Sequence, residues 1–160
     1  MAFLGRLVRL TLFAFVGVTA VSAVLAFQRK QNAPPPPDAD ADEIELVAIF
    51  DELDFRSESQ AFRGGRVECW FAGGTIDLRA ATLHPDGAVL HTQAVFGGGS
   101  VIVPPDWVVT TNVVGIGGAG DARGVEAPQD GPRLTIEGMA VFGGWGILTS
   151  DPRVEAPATI

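Results

Sequence analysis

The sequence predicts an all-β domain, specifically a right-handed single-stranded β-solenoid, preceded by one N-terminal transmembrane α-helix. First, short β-branched and aromatic runs alternate with glycine-rich breaks, which is typical of short strands. Second, an aromatic residue followed by glycines recurs at Phe71, Phe96 and Phe142. Third, an uncharged stretch runs from Leu10 to Phe27. A β-sandwich is the alternative fold for the β domain.

The uncharged stretch Leu10 to Phe27 has eighteen residues. As a helix it would be about 27 Å long, close to the thickness of a bilayer core. Two arginines precede it, and Arg29 and Lys30 follow. We predict a transmembrane helix or signal anchor over residues 7–28; a cleaved signal peptide and a buried helix are the alternatives. The free N-terminal amine adds a positive charge on the N-terminal side, which favours an extracytoplasmic domain on a single-pass inner-membrane protein.

Residues 29–45 are predicted to be a linker. Four consecutive prolines favour an extended polyproline conformation, and the acids that follow repel one another. The β domain is predicted over residues 46–150, with a C-terminal tail over 151–160. The acidic run of Asp51, Glu52 and Asp54 is interpreted as a solvated segment ahead of the strands.

The repeat predicts how the domain folds. Its unit is one aromatic residue, a glycine pair and an apolar strand, and a degraded copy lies at residues 114–121. The first two phenylalanines, Phe71 and Phe96, are 25 residues apart, a spacing found in stacked repeat folds. Glycine permits a tight corner without strain. The aromatic ring before each corner is expected to stack on its counterpart in the next turn.

Charge and composition exclude several classes of function. The 160-residue chain has a net charge of −8, and residues 38–160 hold all 19 acids and seven arginines, which gives −12. Such an acidic domain argues against nucleic-acid binding, which needs clustered cations. The single cysteine, Cys69, excludes an internal disulfide framework and a cysteine-based zinc site.

Three further features resemble chemical sites, but a structural interpretation is favoured for each. Residues 115–120 match the G-x-G-x-x-G pattern, yet no helix is predicted after them to receive a pyrophosphate. The two histidines, His84 and His91, have no ligand partners at metal-site spacing. Cys69 lies in an apolar run without a nearby base. The sequence therefore predicts no catalytic residue, cofactor or metal.

Trp107 and Trp145 are the candidates for contact with a protein partner, because tryptophan is enriched at binding hot spots. Each also lies where a solenoid turn needs a large packing group. Partner contact and core packing both remain open for these two residues.

The repeats also resemble a known family. The C-terminal domain of LiaF-like proteins, the cell-wall-active-antibiotics response family, is similar in order and spacing to five stretches of this chain: Ala61–Gly65, Gly73–Ala81, Phe96–Val109, Pro132–Gly138 and Val141–Gly144. The resemblance covers about residues 56–148. It implies a β-solenoid-like domain beside membrane helices and a regulatory role in bacterial envelope stress, in some members by restraining a membrane histidine kinase. It implies no catalytic residues.

The sequence thus predicts a membrane-tethered, non-enzymatic interaction protein of the bacterial envelope. Its partner would be another envelope protein such as a sensor kinase. One alternative is a bactofilin-like scaffold that polymerises through its solenoid ends. Another is a ligand-binding domain, which would need a concave pocket with converging polar groups.

Overall fold

The computed structural model describes residues 2–117, 121–122 and 130–149. The chain divides into two compact units, Met1–Ala33 and Pro34–Ile160. The first holds the helix α1, Ala2–Gln31. The second holds ten strands: β1 Glu43–Ile49, β2 Glu52–Arg56, β3 Gly64–Trp70, β4 Gly73–Asp77, β5 Ala88–Val95, β6 Gly98–Ile102, β7 Val108–Ile116, β8 Asp121–Ala122, β9 Arg133–Val141 and β10 Gly144–Leu148.

Helix α1 extends beyond the predicted residues 7–28 at both ends. Arg29 and Lys30 lie in its last turn, where positive charge complements the helix dipole. The helix ends shortly before Pro34, the first of four prolines that cannot continue it. Within the parts of the chain that the structure describes, no helix is long and apolar enough to cross a membrane. The predicted transmembrane span therefore has no support from the structure.

The β domain begins earlier than predicted, because β1 starts at Glu43, inside the predicted linker. The carbonyls of Ala39 and Asp42 accept hydrogen bonds from the backbone N–H groups of Glu58 and Arg63, both at 2.7 Å. The second half of the linker is thus fixed to the domain. The acidic run at 51–54 does not precede the strands, since most of it forms β2.

The strands form two five-stranded sheets. Sheet A has the order β1-β3-β5-β9-β7, and sheet B has the order β2-β4-β6-β10-β8. All these pairs are parallel. One strand from each sheet makes a layer, so the predicted parallel β-solenoid architecture is confirmed. A sandwich of antiparallel strands does not fit this pairing, and the handedness of the solenoid stays a prediction.

The layers do not stack in chain order. Layers 1, 2 and 3 are β1–β2, β3–β4 and β5–β6, in sequence. Layer 4 is β9–β10, and layer 5, at the far end, is β7–β8. Strand β9 consequently pairs with both β5 and β7. The last segment of the domain therefore occupies an interior position.

A ladder of aromatic rings runs along one corner of the stack. Phe50, Phe71, Phe96 and Phe142 all adopt a left-handed backbone conformation, with φ of 51–52°. Successive rings are stacked with centroids 5.0, 5.1 and 5.1 Å apart. The predicted ring stacking is confirmed. Aromatic pairs contribute about 0.5–1.5 kcal/mol each, which offsets the cost of about 1–2 kcal/mol for a left-handed residue other than glycine.

Two residues at the corner of the stack depart from the repeat pattern: Phe50, which the pattern did not include, and Gly117, which stands where the other layers have a phenylalanine. Phe50 was overlooked because Asp51 and Glu52, not glycines, follow it. Gly117, with φ of 68°, lies in layer 5 directly after Ile116, whose carbonyl accepts the Phe142 N–H at 2.8 Å. The degraded repeat is therefore the terminal corner, with no ring of its own. Residues 118–120 of that repeat lie outside the described residues.

The core lies between the two sheets. Alternate residues of each strand point inward, as the period of a strand requires. From sheet A these include Ile44, Val67, Leu90 and Ile136; from sheet B, Ile76, Val101 and Ile147. Leu90 and Ile136 are in register across sheet A, and Ile76, Val101 and Ile147 across sheet B, which produces apolar columns along the solenoid.

Candidate functional site

The two tryptophans predicted as partner contacts are in the core. Trp107 is 3% exposed and Trp145 is 1% exposed. The Trp145 ring packs over Gly99, where a side chain would have a first atom only 3.0 Å from the ring. A partner contact would require exposed side chains, so the packing alternative fits both residues.

Cys69 and His84 are held in structural settings. Burial raises the pKa of the Cys69 thiol to about 12, so it stays protonated and non-nucleophilic at neutral pH. His84 accepts a hydrogen bond at Nδ1 from the Asp86 N–H (3.2 Å), and its Nε2 lies 2.6 Å from Nη2 of Arg63. The Gly87 N–H donates to the His84 carbonyl at 2.8 Å, which closes a turn over residues 84–87. Among the described residues, no three His, Cys, Asp or Glu side chains are grouped to hold a metal ion.

Asp77 and Arg79 form an ion pair at the end of β4. The Asp77 carboxylate accepts hydrogen bonds from Nε (2.9 Å) and Nη2 (2.7 Å) of Arg79 and from its backbone N–H (3.0 Å). These hydrogen bonds lower the pKa of Asp77. Arg79 lies just beyond the strand, because β4 ends at Asp77. The pair fixes the chain where it leaves sheet B and offers no free reactive group.

The candidate binding surface is the outer face of sheet A, where charged and apolar side chains are exposed side by side. The strand register brings one polar residue from each of the five strands into line across this face, and we call this line the polar row. Its members across the sheet are Glu45, Arg66, His91, Glu137 and Asn112. Because neighbouring strands are about 4.8 Å apart, the charges have fixed spacing. Nδ1 of His91 lies 3.8 Å from Oε2 of Glu137, and both side chains are about half exposed.

An apolar end patch, defined as Val114, Ile116, Met139 and Phe142, adjoins this row at layers 4 and 5. Their exposed fractions are 68%, 58%, 42% and 45%. Val114 pairs in register with Met139, and Ile116 pairs with the residue before Phe142. A contiguous apolar patch of this kind is typical of an interaction surface, whereas a single exposed apolar residue is not.

Two open grooves cross the same face and share Arg66 and His91. One is also lined by Glu43, Arg63 and Val89, and the other by Gln93 and Met139. Both grooves are shallow depressions over a flat sheet. Such a shape suits contact with another macromolecule better than enclosure of a small ligand.

Sequence reasoning did not find this face. The polar row joins residues 45, 66, 91, 112 and 137, which only the register of parallel strands brings together. The available signal was the alternation in β5 and β9, which marks His91 and Glu137 as outward residues.

No family model, curated protein or solved structure matches the chain. The resemblance to LiaF-like domains stays a prediction, based on the residues quoted for it.

Proposed function

We propose that the chain is a non-enzymatic regulatory protein of the bacterial envelope, tethered to the membrane by α1. Its β domain binds another envelope protein, a sensor kinase, through the outer face of sheet A. The mechanism is surface complementarity on a rigid scaffold, in which binding restrains the kinase and release activates it.

One observation carries the proposal: the outer face of sheet A combines an ordered row of charges with an adjoining apolar patch. Charged rows give orientation and specificity, and apolar contacts give affinity. The backbone beneath is paired on both sides in β3, β5 and β9, so the face is presented without a cost of ordering.

The tether is supported by the composition and surface of α1. Its residues 10–27 are uncharged, and the side chains of Phe13, Val21 and Phe27 are 74%, 61% and 61% exposed. Exposed aromatic and branched side chains at this density favour lipid over water. The positive residues that flank this stretch would lie near lipid headgroups.

The binding face is tested by charge reversal at Arg66. In cells that produce the full chain, Arg66→Glu should raise phosphorylation of the kinase's response regulator in unstressed cells, as deletion of the chain should. Arg56→Glu is the matched control, because Arg56 is equally exposed but lies on sheet B. Unchanged phosphorylation on deletion would reject the regulatory role, and an equal effect of Arg56→Glu would reject the sheet A face.

Topology is tested separately, with alkaline phosphatase fused after Ile160. Enzyme activity in intact cells, together with recovery of the chain in the membrane fraction, is the expected result. If the alkaline phosphatase fusion is inactive, while a fusion at the same site to a reporter that works only in the cytoplasm is active, the extracytoplasmic orientation is rejected.

A further inference from the structure

The edge strand β7 has the properties of a pairing surface. Among the described strands, it pairs only with β9, so its other edge is the end of sheet A. Its nine residues, VVTTNVVGI, carry no charge and are mostly β-branched. A long uncharged edge strand pairs readily with another strand, because its outer N–H and C=O groups are in position to do so.

Apolar side chains flank this edge on both faces. On the outer face, Val114 and Ile116 belong to the apolar end patch. On the inner face, Val109 and Val113 are only partly buried while packing against the core. A strand added to β7 would cover both sets at once, which an apolar ligand on one face could not do.

The opposite end of the stack is built differently. Layer 1 exposes five carboxylates, those of Glu43, Glu45, Asp51, Glu52 and Asp54. Two copies meeting through layer 1 would oppose like charges. Head-to-tail stacking would place these acids against the apolar edge of β7. It would also bring Phe50 over the corner at Gly117, which has no ring to stack on.

We propose that the chain forms a two-fold symmetric dimer through antiparallel pairing of β7 with β7 of a second copy. Asn112 is the central residue of the strand, so it would lie opposite Asn112 of the second copy. Thr110 would then lie opposite Val114, and Val108 opposite Ile116. Within the β7 pair, no charged residues oppose each other in this register. The two-fold axis runs perpendicular to sheet A, so the two copies of sheet A join into one continuous sheet.

This inference rests on the backbone edge of β7, whereas the proposed function rests on the outer face of sheet A; Asn112, Val114 and Ile116 belong to both surfaces. If the chain dimerises but does not control the kinase, only the dimer proposal holds. If the monomer controls the kinase, only the proposed function holds. The acidic domains repel each other at long range, so added salt should strengthen the dimer.

The register is tested by cysteine crosslinking of the full chain in detergent, at fewer than one chain per micelle. Asn112→Cys should give a disulfide-linked dimer on oxidation. Native Cys69 is fully buried and should not react. Glu45→Cys is the matched control, because it lies in the same row on the opposite edge strand. Since crosslinking depends on position, association through α1 alone would not favour Asn112.

Two outcomes would overturn the proposal. The first is an absence of dimer with Asn112→Cys. The second is multimers formed only by the double variant Asn112→Cys and Glu45→Cys, which would indicate head-to-tail assembly.

A second measurement guards against a folding artefact: sedimentation of Val114→Lys should show association weakened about tenfold or more, with Val89→Lys unchanged. Val89 is also an exposed valine on the outer face of sheet A. Equal effects of the two substitutions, with both variants folded by circular dichroism, would reject the β7 interface.

Discussion

The two ends of the β-solenoid solve the same physical problem in opposite ways. Each end presents edge strands that could pair with another chain. In layer 1, five exposed acids disfavour pairing of the edge strands with another chain, whereas β7 in layer 5 carries no charge. The contrast indicates that one end is protected against association and the other end is available for it.

A second contrast separates the ends from the interior. At the position after each corner phenylalanine, the residue changes from Asp51 in layer 1 to Ala72, Gly97 and Gly143 in layers 2 to 4. A Cβ on Gly97 would collide with the carbonyl of Ala72, and one on Gly143 with the carbonyl of Gly97. A Cβ is therefore excluded at Gly97 and Gly143 in layers 3 and 4, whereas layers 1 and 2 carry the side chains of Asp51 and Ala72 at this position.

The largest effect is expected from breaking this rule inside the stack. Gly143→Ala should destabilise the domain by about 4 kcal/mol or more, because backbone must move away from backbone. Gly73→Ala is the control, since its Cβ would lie 3.7 Å from the nearest atom, at ordinary contact distance. Urea unfolding measures both. Comparable losses in the two variants would contradict the close-contact explanation.

A smaller effect should distinguish ladder positions. Phe96 stacks on two rings, whereas Phe50 stacks on one. Phe96→Leu should therefore cost about 1 kcal/mol more than Phe50→Leu, the contribution of one aromatic pair. Both positions keep a left-handed backbone, so that strain cancels in the difference. Thermal unfolding of the two variants checks the expectation, and a larger loss at Phe50 would disprove it.

The smallest effect concerns the ion pair at the end of β4, in layer 2. The pKa of Asp77 is lowered in the folded domain by Arg79, so the folded state holds its proton less tightly than the unfolded state. The resulting stability, about 0.5 kcal/mol, should be complete above about pH 5 and lost as the pH falls below about 4. Asp77→Asn should remove it. Urea titrations at pH 7 and pH 3 measure the difference, and a variant whose deficit grows at pH 3 would contradict this sign.

The sequence contained enough to predict the solenoid but not its order. The sequence signal is strong where a single residue sets the conformation of a corner. The recurring Phe71, Phe96 and Phe142 therefore predicted the stacked rings. Phe50 escaped because the end layer needs no glycine after its corner. The order of layers 4 and 5 depends on which strands β9 pairs with, and that pairing joins residues far apart in the sequence.

The binding face was harder to predict than the fold. Its charges and apolar residues are far apart in the sequence and meet only through strand register. The tryptophans drew attention because of their average behaviour at interfaces, whereas burial in this core gives them a packing role. The exposed Val114 and Ile116 look in the sequence like ordinary strand residues.

The interior position of β9–β10 has a consequence for biosynthesis. A ribosome releases β7 and β8 before β9 and β10 exist, so during that interval layer 3 and the future layer 5 have no common neighbour. The domain therefore cannot mature by adding one finished turn after another, as simple repeat proteins do. Strands β9 and β10, residues 133–148, must insert between layers 3 and 5, and a chain truncated before Arg133 would lose an interior layer of the solenoid.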